Sequence, residues 1–221
     1  MIMKAKGFNK VVFAAVLCAL AMPVLADDTM TTNGAAMPAQ TITPADFAWD
    51  ASLINLKEIR LGEIAQTNSQ NAAVQEFGRH MVRDHSKLNE RLTRIASAEG
   101  LQLPDTNTFY IQVTTPPEKP ATELMEESPQ EKLLNAQLDV QHLASLTGPD
   151  FDTAYADAMV NGHQKAIQKF EDASASLDDK ALKKYADKGL KTIRHHYEMA
   201  QQLQSEVTSG TNAPPANTGS M

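Results

Sequence analysis

Between Val74 and Ile95, the residues Val74, Gly78, Met81, His85, Leu88, Leu92 and Ile95 follow one another at alternating intervals of four and three. That spacing marks one face of a helix packed in a bundle. A chain carrying such a seam is committed to burying it against other helices. One member of the seam is not a hydrocarbon: His85 lies near the middle, where an imidazole must find a hydrogen-bonding partner or bind something.

Further helices with matching seams follow from the same reading. Thr43-Pro44-Ala45-Asp46 supplies an N-cap, a proline at the first helical position and an acid in the first turn. The helix it opens runs to about Thr67, with Phe47, Ala51, Ile54, Glu58, Leu61 and Ala65 on its seam. The cluster Asn68 to Asn71 is a short turn, so the Val74 to Ile95 helix runs back beside the first, until Gly100 and Pro104 stop it. Residues 101–127 contain Pro104, Pro116, Pro117 and Pro120 and no helical period, which predicts a long crossover. Ser128-Pro129-Gln130-Glu131 then starts a short extra helix that ends before Gly148-Pro149.

The third main helix is predicted from about Asp150 to Ser176, with Ala156, Met159, His163, Ala166, Phe170, Ala173 and Leu177 on its seam. Asp178-Asp179 caps a fourth, with Leu182, Ala186, Gly189, Ile193, His196, Ala200, Leu203 and Val207 in register. Two helical hairpins joined by one long connection is the order found in ferritin-like bundles. The fold class is therefore all-α: a ferritin-like four-helix bundle over residues 43–208, with a long crossover and an extra short helix between helices 2 and 3.

The ends of the chain bear on where it works. Residues 1–26 have the form of a secretory signal: Lys4, Lys6 and Lys10, then an apolar run from Val11 to Met22, then small residues ending at Ala26. The mature chain is expected to start at Asp27, with residues 27–42 a disordered leader and residues 209–221 a disordered tail. The lone cysteine, Cys18, falls within the signal, so any metal site must use His, Asp, Glu or Met. No later stretch is long and apolar enough to span a bilayer. The formal net charge of −7 becomes more negative once the three lysines are lost with the signal, which disfavours nucleic acid as a partner. The sequence names no protein partner and is compatible with a homo-oligomer.

Each main helix carries one ligand-capable residue near the middle of its seam: Glu58, His85, His163 and His196. Antiparallel helices of similar length overlap about their midpoints, so these four side chains are placed to share one layer across the core. Imidazole and carboxylate suit a divalent transition metal such as Zn, Fe, Cu or Mn. Asp84 and Tyr155 are candidates to support the ligands from behind. His80 and His195 fall off the seams and are expected at the solvent, as is His142 on the short helix, where Asp139-x-x-His142 is the alternative extension of a site. Met81, Met159 and Met199 lie within a turn of the layer and raise copper, although methionine there is commonly core filling. Gly62, Gly78, Gly162 and Gly189 either leave space at the layer or allow close helix packing. The competing reading is metal-free, with neutral histidines hydrogen-bonded in the core to fix helix register. A further alternative is a mononuclear metal oxidoreductase that keeps one coordination position open.

The segments Glu58-x-x-Leu61-Gly62, Met81-Val82-x-Asp84-His85, Leu143 to Tyr155, Met159-Val160-x-x-His163 and Arg194-x-His196 together cover residues 44–206 in order. In these the chain resembles a widespread family of exported bacterial proteins, the domain of unknown function 4142, whose members are often labelled membrane or outer-membrane proteins. The resemblance implies a ferritin-like bundle in the periplasm, with Glu58, His85, His163 and His196 at the family's recurrent polar positions. It implies no known reaction. Two features depart from the pattern: Lys191 stands where a proline is usual, and the 101–127 connection is long. Ferritins proper use Glu-x-x-His pairs to hold two irons, and this chain contains none. Iron storage is therefore disfavoured, and the sequence reading ends at metal handling or envelope stress as candidate roles.

Overall fold

The computed structural model describes residues 42–109 and 127–210. The expected signal, the leader up to residue 41, residues 110–126 of the crossover and the tail beyond residue 210 lie outside the described residues. The elements in chain order are α1 (Pro44–Asn68), α2 (Ala72–Glu99), α3 (Thr106–Phe109), α4 (Pro129–Ala144), α5 (Gly148–Ser176) and α6 (Lys180–Ser209), with no strand among the described residues.

The helix ends form where local chemistry satisfies the free backbone groups. Thr43 Oγ1 accepts from Asp46 N at 3.1 Å, and Asn71 Oδ1 accepts from Ala73 N at 2.9 Å. Ser128 and Glu131 complete a reciprocal capping box, and Asp179 Oδ1 accepts from Leu182 N at 2.7 Å. Gly100 closes α2 at φ 68°, a left-handed conformation that other L-residues adopt at a cost. The single turn of α3 departs from the expectation that the start of the crossover has no helix. It places Phe109 in the core, 4 % exposed.

α1 packs along α2 and α5 along α6, and the two hairpins meet through α2 with α6 and α1 with α5. α4 lies mainly against α1. That extra helix changes α1, which is buried on more than one face: Leu53, Leu56 and Ile64 are covered as well as Phe47 and Leu61. Ile54, Ile95 and Val207, all expected on seams, are only partly buried.

The core has two apolar halves. One is built around Leu61, Phe77, Met81, Phe151, Tyr155 and Met159, and extends to Val140 and Leu143 of α4. The other holds Phe47, Leu92, Phe170, Leu182, Tyr185 and Ile193. Phe170 meets the rings of Phe47 and Tyr185 at centroid distances of 5.2 and 5.9 Å. Burying each such side chain stabilises the fold by roughly 1.5–3 kcal/mol. In sequence the halves meet between Met81 and Leu88 on α2, Met159 and Ala166 on α5, and Ile193 and Ala200 on α6. The seam position inside each interval is a histidine: His85, His163 and His196.

Polar ties pin the helices from outside this level. Asp50 on α1 is gripped by Lys132 of α4 at 3.0 and 3.1 Å and by Lys169 of α5. At one end of the bundle Ser69 donates to Asp152, and Asn68 Nδ2 reaches the carbonyls of Ala144 and Leu146 at 3.1 and 2.7 Å.

Candidate metal centre

His85, His163 and His196, from α2, α5 and α6, meet between the apolar halves. Each is 1 % exposed. Their ring centroids are 5.2–5.8 Å apart, and one nitrogen from each lies within 4.8 Å of the other two. Three nitrogens bound tetrahedrally at about 2.0–2.1 Å from a metal stand about 3.3 Å apart, so an ion would draw them in by at most about 1.5 Å.

Each ring spends one nitrogen on a hydrogen-bond partner. His85 Nδ1 is 3.0 Å from Asn55 Oδ1, His163 Nδ1 donates to the Met159 carbonyl at 2.8 Å, and His196 Nε2 donates to Asp84 Oδ2 at 3.3 Å. The other nitrogens, His85 Nε2, His163 Nε2 and His196 Nδ1, are buried without a partner. With carbonyl, amide and carboxylate oxygens accepting on the outside, the inner nitrogens carry lone pairs. This is the arrangement in which imidazoles ligate a metal.

The electrostatics favour neutral imidazoles at His85 and His196. Burial pushes the pKa of His85 well below its usual 6.5, and the like charges of His196 and His163 push it further in that direction. Burial lowers His196 to about 4 even though its bond to Asp84 works the other way. For Asp84, burial acts to raise the pKa, but the hydrogen bonds from Arg83 and His196 prevail and hold the carboxyl well below the usual carboxylate range. Asp84 thus stands as an anion between the buried ring and the exposed guanidinium of Arg83, which grips it at 2.8 and 2.9 Å.

Glu58 is buried at 4 % exposure, but it is not one of the three groups whose ligand atoms gather within 4.8 Å. Its Oε2 has no partner, and desolvation raises its pKa while His163 and Lys57 pull it down. The fully buried Tyr155 stacks on Phe151 at 5.3 Å and also has an unpartnered hydroxyl. Burial, and then the charge of Glu58, push that hydroxyl's pKa well above 10. Of the buried side-chain polar atoms lacking a partner among the described residues, all but Trp49 Nε1 belong to Glu58, Tyr155 or the three histidines.

The remaining sequence candidates separate clearly. His142 and His195 are exposed, and the half-exposed His80 is tied to Glu76 and Arg83. Met81 and Met159 are fully buried in one apolar half, and Met199 packs against it. Gly62 and Gly78 bring the backbones of α1 and α2 together, and Gly189 accommodates the ring of Phe170. Gly162 is the glycine beside the layer, where an added Cβ would stand 3.5 Å from Glu58 Oε1. Sequence reasoning missed Asn55 and the Met159 carbonyl. Asn55 was within reach of it, since it precedes Glu58 by three residues and so shares its side of α1.

No protein with curated annotation matches the sequence. Among solved structures the fold is similar to the "putative secreted protein DUF305" from Streptomyces coelicolor, with a TM-score of 0.54 and 12 % identity, over 73 % of this chain and 91 % of that one. At that identity the likeness speaks for the all-helical fold alone. Residues 29–203 match the family described as Domain of unknown function (DUF4142), and the chain belongs to that family.

Proposed function

We propose that the protein is an exported metal-binding bundle. It takes one divalent transition ion at His85 Nε2, His163 Nε2 and His196 Nδ1, with Glu58 as the neighbouring carboxylate that balances charge or completes the ligand set. The observation that carries this reading is a trio of buried imidazoles whose ligand atoms come within 4.8 Å of one another, each ring keeping one nitrogen without a hydrogen-bond partner. Leaving such groups unsatisfied costs about 1–3 kcal/mol each, and a bound cation removes that cost at all three together. Zinc, copper, iron and manganese all accept imidazole and carboxylate, with imidazole best suited to the first three.

Export rests on the form of residues 1–26, and it agrees with the absence, among the described helices, of any long and apolar enough to cross a membrane. In the periplasm such a site would serve metal handling. A metal-free register module is the second reading, favoured by the outward hydrogen bond that each ring already makes.

Elemental analysis of the mature chain decides between them, beside His85→Ala and His163→Ala and with melts before and after chelation. The metal reading expects one ion per chain, lost in both variants. An unmetallated protein that takes up no added Zn2+, Cu2+ or Co2+, and whose Tm ignores chelator, overturns it.

A further inference from the structure

We infer that Asn55, held by Tyr185, is a positioning residue that decides which nitrogen His85 turns toward the centre. Neither residue ligates anything in the proposed function; the purpose of the inference and the affinity arm of its test rest on that function, whereas the tautomer arm does not. Asn55 is 1 % exposed and has one side-chain contact on each side: Oδ1 stands 3.0 Å from His85 Nδ1, and Nδ2 donates to Tyr185 Oη at 3.0 Å. The Tyr185 ring is itself fixed, at 6.1 Å from Phe47 and 5.9 Å from Phe170, and is fully buried. The aromatic half of the core thus sets the tyrosine, the tyrosine sets the amide, and the amide sets the imidazole.

The consequence is chemical. A neutral imidazole has one donor and one acceptor, and the hydrogen bond made by one nitrogen dictates the state of the other. Left to itself the ring favours the proton on Nε2, the tautomer that would aim an N–H at the other two histidines and close the site to a cation. By offering Oδ1 rather than Nδ2 to Nδ1, Asn55 holds the proton outside and the Nε2 lone pair inside. Turning the amide over would reverse this; the Tyr185 hydroxyl, which can accept from Nδ2 or donate to Oδ1, fixes the place of the amide, and its acceptance from Nδ2 at 3.0 Å is what leaves Oδ1 for His85. His163 receives the same instruction from the Met159 carbonyl, which can only accept. His196 receives it from Asp84 with the nitrogens exchanged.

Long-range proton–nitrogen correlation spectra of the metal-free, nitrogen-15-labelled protein at neutral pH read the tautomers directly. The expected result is a proton on Nδ1 of His85 and His163 and on Nε2 of His196. In Asn55→Leu the His85 proton should move to Nε2, and affinity for Zn2+ or Co2+ should fall about 10–100-fold. Asn55→Asp keeps an acceptor and should retain both the tautomer and most of the affinity. Tyr185→Phe should give a smaller loss and a mixed His85 signal. A wild-type His85 protonated on Nε2, or an Asn55→Leu protein with unchanged tautomer and affinity, overturns the inference. If Asn55→Leu fails to fold, the wild-type, Asn55→Asp and Tyr185→Phe spectra decide. Tautomers as assigned in a protein that takes up neither metal would support the role of Asn55 and overturn the metal reading.

Discussion

Asp50 and Glu58 stand on the same helix about 12 Å apart along its axis, both carboxylates and both nearly covered, at 7 % and 4 % exposure. Their surroundings are opposite. Asp50 has two lysines from two other helices. Glu58 has an oxygen with no partner, and beyond it lie three imidazoles with free inner nitrogens. A buried carboxylate kept for stability comes with cations supplied by the chain itself. Glu58 has no ion pair of that kind among the described residues and stands near imidazoles with unpartnered nitrogens, which is the contrast on which the proposed cation site rests.

The largest effect that would sharpen this contrast is metal itself. With free Zn2+ at about a thousand times its Kd, the wild-type protein should gain about 4 kcal/mol, seen as a rise in Tm that chelator reverses. His163→Ala should show no such rise, and Asp50→Ala should show it in full.

Acid comes next. His196 titrates at about 4 in the folded chain against 6.5 for an unperturbed histidine. The unfolded chain therefore binds the proton first as pH falls. The stability from keeping this ring neutral is complete above about pH 6.5 and is lost as pH drops toward 4, by up to roughly 3 kcal/mol. His85 shifts in the same direction, whereas Glu58, with a raised pKa, shifts in the opposite sense and offsets part of the loss. Urea midpoints of the metal-free protein at pH 7 and pH 4.5 should differ accordingly.

Asp50→Ala should cost about 2–3 kcal/mol, because it leaves Lys132 and Lys169 facing each other without their anion, moderated by the partial exposure of both lysines. Denaturant unfolding measures this. An unchanged Zn2+ affinity in the same variant would establish that the two regions are independent. The smallest effect is expected at Glu58→Gln. Removing a desolvated carboxylate should leave the metal-free protein about 1 kcal/mol more stable at neutral pH while weakening Zn2+ binding, so the two readouts move in opposite directions. Loss of stability without loss of affinity would place Glu58 with Asp50 as a purely structural group.

The helices and the seam histidines were legible because both follow from local chemistry. Thr43-Pro44, Ser128 to Glu131 and Gly100 act within a turn of themselves, and period alone puts His85, His163 and His196 on buried faces. What was not legible depends on partners distant in sequence. The covering of Leu53 and Ile64 depends on α4 folding back from the crossover, which the α1 sequence does not encode. The displacement of Glu58 from the imidazole cluster, and the presentation of His196 through Nδ1 where its companions use Nε2, depend on the exact rotation of each helix. Asn55 went unnoticed because its value lies in a pair of contacts, to α2 and to α6, that appear only once three helices are assembled. The turn of α3 was hidden by the prolines around it.

Gly62 and Gly78 face each other so closely that a Cβ on either would stand 2.6–2.7 Å from the other's carbonyl oxygen. This contact is main chain against main chain, so it acts as a rivet between α1 and α2, one turn beyond Glu58 and two turns before His85. A methyl group at the rivet would pry them apart and move Asn55 and His85 out of step, altering the centre from a position that never touches it.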